Sequence, residues 1–225
     1  MSVNEAERNQ GLSAKGKSCA PMMSRRSLCY GIGASALLLG LGAVKFVGSD
    51  SVLRPPGGQD EERLLACCIR CQKCLEACPH DVIVPTHVED GLIAMRTPTL
   101  DYSNGWCDWC AESKGGRPRC VEVCPTGALS LPDGVTEQST ILGVAKITSD
   151  WCLAYKLIGC KSCYDACPFD AISLDTDGKP SVVAERCNGC GACEAACVSL
   201  SSGSIAAGAS HRAIVVEPLQ GQEVS

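Results

Sequence analysis

The chain has 225 residues, 19 of them Cys, yet only 2 Phe, 3 Trp and 4 Tyr. One or two domains would fit this length, but a large aromatic core is excluded, so something else must hold the fold together. The formal charge of −5 is unevenly spread: residues 1–49 carry six Lys or Arg against two acids, leaving 14 bases and 23 acids from Asp50 onward, a balance of −9. An acidic body with no run of bases excludes nucleic acid as a partner.

Residues 1–23 are polar and without apolar period, and are expected to be disordered. Ser24-Arg25-Arg26-Ser27-Leu28 then precedes a Gly-rich apolar run from Gly31 to Val44, closed by Lys45. Paired arginines ahead of a weakly hydrophobic segment predict a twin-arginine export signal, cleaved or kept as an anchor, over residues 1–49. Leu53-Arg54-Pro55-Pro56-Gly57-Gly58 and the charged run Asp60-Glu61-Glu62-Arg63 read as a linker over 50–65, with no helix starting before about Gln59.

From Cys67 to Cys197 the chain repeats. The first quartet is Cys68, Cys71, Cys74 and Cys78, spaced C-x2-C-x2-C-x3-C and followed by Pro79. The second is Cys107 and Cys110, an insertion containing Lys114-Gly115-Gly116, then Cys120 and Cys124 before Pro125. The third is Cys152, seven residues, then Cys160, Cys163 and Cys167 before Pro168. The fourth, Cys187, Cys190, Cys193 and Cys197, repeats the first spacing with Val198 in place of proline.

Two residues between thiolates let the backbone curl over one face of an iron–sulfur cube. The fourth Cys, three residues further on, points away and serves the other cluster of a pair. Sixteen cysteines therefore predict four [4Fe-4S] clusters in an α+β fold of two ferredoxin-like dicluster modules, with short helices and small antiparallel hairpins, over residues 66–217. Residues 218–225 form a tail. A zinc site would be overfilled by this spacing, and cysteines this close bridge poorly as disulfides. Cys67 would break the shared spacing and is expected to be a spare buried thiol, while Cys19 and Cys29 lie in the tail and signal and are not expected to be ligands.

The pairing of quartets stays open. Adjacent pairing, one with two and three with four, satisfies the loops as well as nesting, two with three and one with four. The shared irregularity of the second and third quartets favours nesting. Ala171-Ile-Ser-Leu174 and Ser181-Val-Val-Ala184 read as two short strands around a turn at Gly178, and Gly127–Leu131 to Val144–Ile147 as a comparable segment.

In the order of its motifs, including C-P-T-G-A-L after the second quartet and C-x2-C-G-x-C-x3-C-V in the fourth, the chain resembles the NapG/MauM family of exported ferredoxin-type proteins. That resemblance implies a periplasmic four-cluster electron carrier, not itself an enzyme, working beside a membrane-bound iron–sulfur protein that oxidises quinol. Iron–sulfur subunits of molybdopterin oxidoreductases share the second and third motifs and give the alternative; a structural or maturation metal protein is a third. Lys73 and Lys161 are placed to raise cluster potentials locally. Trp106, Trp109 and Trp151 are expected to shield clusters by packing, and His80, His87 and His211 to be surface or turn residues. No catalytic set is present.

Overall fold

The first helix, α1 (Glu61–Cys67), begins where the prolines end. Asp60 caps it by accepting the Arg63 N–H at 3.0 Å, and Glu61 and Glu62 complement the positive end of its dipole. It buries Leu64 completely. The computed structural model describes residues 52–111, 116–156, 159–201 and 210–219, all within one compact unit, Val44–Ser225. The export segment, Cys19, Cys29 and residues 220–225 lie outside the described residues.

The expected linker is instead built into the body. Pro55 and Pro56 are fully buried, and Arg54 is 5% exposed. Its guanidinium donates to Glu61 Oε2 at 2.7 Å, Thr97 Oγ1 at 2.9 Å and the Pro98 carbonyl at 2.8 Å. A buried guanidinium keeps its charge only when such acceptors surround it, which ties residues 52–61 to the strand beyond Thr97. The Pro-Gly run signals an absence of helix, and an irregular segment can be packed as tightly as a regular one.

Among the described residues four further α-helices are single turns: α2 (Lys73–Ala77), α3 (Arg119–Glu122), α4 (Ser162–Asp165) and α5 (Ala192–Ala195). Three two-stranded antiparallel sheets accompany them among the described residues. β1 (Ile83–Pro85) pairs with β2 (Pro98–Leu100), β4 (Ile172–Leu174) with β5 (Pro180–Val182), and β3 (Val144–Ile147) with β6 (Ile214–Glu217). The hairpin around Gly178 follows the sequence pattern. Gly127–Leu131 forms no strand: the Ser130 amide bonds Gly57, and β3 takes its partner from the C-terminal strand, with Val144 opposite Glu217 and Ile147 opposite Ile214.

The core is aliphatic, as the aromatic shortage requires. Val82, Ala128, Leu129, Leu142, Ala145, Ile172, Ile214 and Val216 form one cluster with Tyr102, and cysteines from every quartet pack into or against it.

Candidate metal centres

Each quartet is shaped by backbone that ordinary residues avoid. In the fourth, Gly189 and Gly191 carry φ of +78° and +82°, and the equivalent positions of the first are Arg70 at +56° and Gln72 at +64°. The loop curls identically in both, with glycine in one and strained side chains in the other, at a cost of about 1–2 kcal/mol per residue. After the fourth Cys the pattern repeats again: Asp81, Gly127 and Asp170, each third after the Cys of a Cys-Pro pair, are left-handed. The residues that follow them, Val82, Ala128 and Ala171, are buried. This turn brings an amide back to the sulfur, Leu129 N–H to Cys124 at 3.4 Å and Ala171 N–H to Cys167 at 3.3 Å.

The sixteen predicted cysteines gather into four hollows. Cys68, Cys71 and Cys74 share the first with Cys124. Cys107, Cys110 and Cys120 share the second with Cys78. Cys152, Cys160 and Cys163 share the third with Cys197, and Cys187, Cys190 and Cys193 share the fourth with Cys167. The hollows are about 400, 320, 360 and 320 Å³, measured out to their mouths. Each therefore takes three sulfurs from one quartet and the last sulfur of its neighbour.

This exchange corrects the expectation of nesting. Quartets one and two swap their last cysteines, as do three and four. α2 packs on α3 and α4 on α5, which sets each crossing sulfur over the neighbouring hollow. The insertions of the second and third quartets reflect separate loop geometry rather than a shared pair.

The sulfurs surround hollows rather than converge on points. Among the described residues no three Cys, His, Asp or Glu side chains lie close enough to hold a single metal ion. A tetrahedral zinc would need its sulfurs about 2.3 Å from one centre, whereas a cube presents separate corners to separate sulfurs. The donor set fits [4Fe-4S] clusters. Burial pushes the Cys74, Cys163 and Cys190 thiols up to about 11 and Cys107 to about 12, and drives Cys120 and Cys193 higher still. Thiols this disfavoured as thiolates ionise when a cationic metal group supplies the missing charge. Cys124 departs from the trend: burial raises it, but the Leu129 amide, the Thr126 amide and hydroxyl and the Ala128 amide outweigh that and bring it below the usual thiol value.

The hollows stand in the order first, second, fourth, third. At the centre the Cys107 N–H donates to the Cys190 carbonyl at 2.9 Å, so the second and fourth groups adjoin through backbone. Tyr102, 1% exposed, lies beside Cys107, Cys190 and Cys193 and donates its hydroxyl to the Gly189 carbonyl at 2.6 Å. The Leu142 N–H donates to Asn188 O at 2.7 Å, and Arg212 donates to the Tyr102 and Ser103 carbonyls at 2.8 and 2.9 Å. Gly189 and Gly191 serve this contact as well as their own loop: a Cβ would stand 2.3 Å from Gly143 N and 2.2 Å from the Tyr102 ring.

Cys67 ends α1, half-buried, and lines none of the four hollows. Trp109 is buried, next to Cys110 in the chain, and donates to the Gly116 carbonyl at 3.2 Å. Trp106 stacks on His80 and Trp151 meets His211 edge-on, centroids 4.2 Å apart. His80 does more than sit in a turn. Its Nε2 lies 2.9 Å from Asp108, between Cys107 and Cys110; burial raises that carboxyl, but His80 and the Cys110 amide bring it below its usual value. The sequence hinted at this only in placing His80 just after Cys78-Pro79 and Asp108 between two ligand candidates. Lys161 is paired with Asp165 at 3.6 Å, so only Lys73 of the two lysines brings uncompensated charge to a hollow.

Paired hollows of exchanged cysteines define a ferredoxin-type iron–sulfur protein. The 4Fe-4S dicluster domain matches residues 67–128 and 158–200, one match over each half of the row. Over 191 residues, 77% of this chain and 84% of the relative, the sequence is 34% identical to the methylamine utilization ferredoxin-type protein MauM of Methylorubrum extorquens. It is 31% identical over 180 residues, 75% of each chain, to the ferredoxin-type protein NapG of Escherichia coli, and 37% identical over 158 residues to MauM of Methylophilus methylotrophus. The chain belongs to the NapG/MauM family of ferredoxin-type proteins, and its role is iron–sulfur electron transfer.

Proposed function

We propose that this protein is an extracytoplasmic electron carrier holding four [4Fe-4S] clusters in two dicluster modules, through the sixteen cysteines of the four hollows. It would pass electrons between a membrane-bound quinol-oxidising iron–sulfur protein and a periplasmic redox enzyme system. The observation that carries this reading is the exchange of the last cysteine between neighbouring quartets, twice over, in one unbroken row. When bound, such clusters supply one-electron uptake and release with little nuclear movement. The chain's own contribution is to exclude water with aliphatic side chains, to direct the Leu129, Ala145 and Ala171 amides at Cys124, Cys187 and Cys167, and to hold the central junction closed. Export rests on Arg25, Arg26 and the apolar run behind them, since a protein folded around clusters needs a route that carries folded cargo.

Two experiments test the reading. Anaerobic coulometric titration should take up about four electrons per chain, one per cluster; uptake of two or fewer would refute the four-cluster count. Replacing Arg25 and Arg26 with Lys should leave cluster-loaded protein in the cytoplasm, and undiminished export of that variant would refute the signal.

A further inference from the structure

The two ends of the row are built differently. Cys71, in the first hollow, is the exposed cysteine among those described. Ile69 lines the same hollow and is 64% exposed, and Ile93 and Met95, in the segment leading to the hollow-lining Arg96, are 53% and 39% exposed. The Arg70 guanidinium ties that segment's backbone to the first quartet, donating to the Met95 carbonyl at 2.9 Å and the Ile93 carbonyl at 3.1 Å. Arg70, Lys73 and Arg96 line the same hollow, and no carboxylate does. Among the described residues none of these three bases has a carboxylate within ion-pair distance, whereas Arg54, Arg63, Arg117, Lys146, Lys161 and Lys179 each do; Arg119, Arg186 and Arg212 also have none but do not line this hollow. The nearest acids in sequence, Glu76, Asp90 and Asp101, lie outside the hollow's lining; Asp90 is engaged by the His87 N–H at 2.9 Å and Asp101 by the Ser103 N–H at 2.8 Å.

A local cluster of three unpaired bases on a body with a balance of −9 is a focused positive field, and the apolar residues at its centre are what a partner's core contact would cover. Resting on the carrier reading above, we infer that this face docks a redox protein with an acidic rim, and that it is where the chain exchanges electrons through the first site. The net negative charge elsewhere turns the same partner away from other faces, so the bases select orientation as well as rate. An anionic membrane surface would also attract bases and aliphatic side chains. The protein partner is favoured because the patch surrounds the exposed ligand of a cluster site, where contact shortens the path for an electron.

The probe is reduced plant-type [2Fe-2S] ferredoxin, an acidic one-electron donor, mixed anaerobically with the full-length holoprotein. Each encounter moves one electron: the ferredoxin is oxidised and the holoprotein reduced. K73E/R96E should slow second-order exchange about tenfold or more at low salt, with the gap closing as salt rises, and should weaken ferredoxin binding measured by calorimetry. Ile93→Ser should weaken binding without altering the salt dependence. K146E, at an exposed strand residue that lines none of the hollows, should match the parent, and iron and sulfide content should be equal in all variants. Parent-like exchange and binding in K73E/R96E would overturn the docking face while leaving the carrier reading intact. Loss of flotation with phosphatidylglycerol vesicles, with exchange unchanged, would overturn it in favour of a membrane. A fully loaded parent that takes no electron from the donor would overturn both.

Discussion

Cys78→Ala removes the same cluster as Cys107→Ala, and combining the two removes nothing more. Each single variant is expected to lose about four iron and four sulfide, and the pair about four rather than eight, because both sulfurs serve one cube. Cys78→Ala with Cys71→Ala should lose about eight, although these two lie in one quartet. The reason is spatial: Cys78 lines the hollow of Cys107, Cys110 and Cys120, while Cys124 crosses back to Cys68, Cys71 and Cys74. Non-additivity within a shared site and additivity between separate ones is the signature measured here. Additive loss for Cys78 with Cys107 would restore the nested pairing.

Tyr102→Ala should be the most damaging change that touches no proposed ligand. The ring is the largest fully buried side chain described, and it fills the seam where the second and fourth groups meet. Deleting it removes buried aromatic area and leaves a cavity, costing about 3–5 kcal/mol. Tyr102→Phe retains the ring but leaves the Gly189 carbonyl without its donor, costing about 1–2 kcal/mol. Anaerobic denaturation followed by loss of cluster absorbance should rank parent, Phe and Ala in that order. Gly191→Ala attacks the same contact from the other side, because its Cβ would occupy the space of the ring at a left-handed φ. Equal midpoints for the Phe and Ala variants would show that the seam contributes no stability.

The cysteine spacing made the ligand candidates legible, since each interval is a statement about where a sulfur can reach. It did not make the pairing legible. Both pairings satisfy the loops, and the choice is made by short helices packing in pairs, α2 on α3 and α4 on α5, through contacts too few to leave a periodic trace. The hairpin at Gly178 could be read because its strands and turn are local, whereas β3 pairs with β6 some seventy residues on, across a stretch that carries two quartets. Burial of the segment 52–65 is not legible because proline and glycine report what the backbone cannot do, while its attachment runs through Leu53, Arg54 and Gly57 to Thr97–Leu100 and Ser130, partners more than forty positions away. Left-handed Arg70, Gln72 and Trp109 were hidden for the opposite reason: a loop tethered at several points by metal can hold strain that a free turn would assign to glycine.

The most direct test of four thiolate-held cubes as both scaffold and wiring is the metal content of protein purified without oxygen. About sixteen iron and sixteen acid-labile sulfide per chain, with no stoichiometric zinc, is the predicted result. A folded, monodisperse preparation containing zinc and no sulfide, or no metal at all, would contradict it.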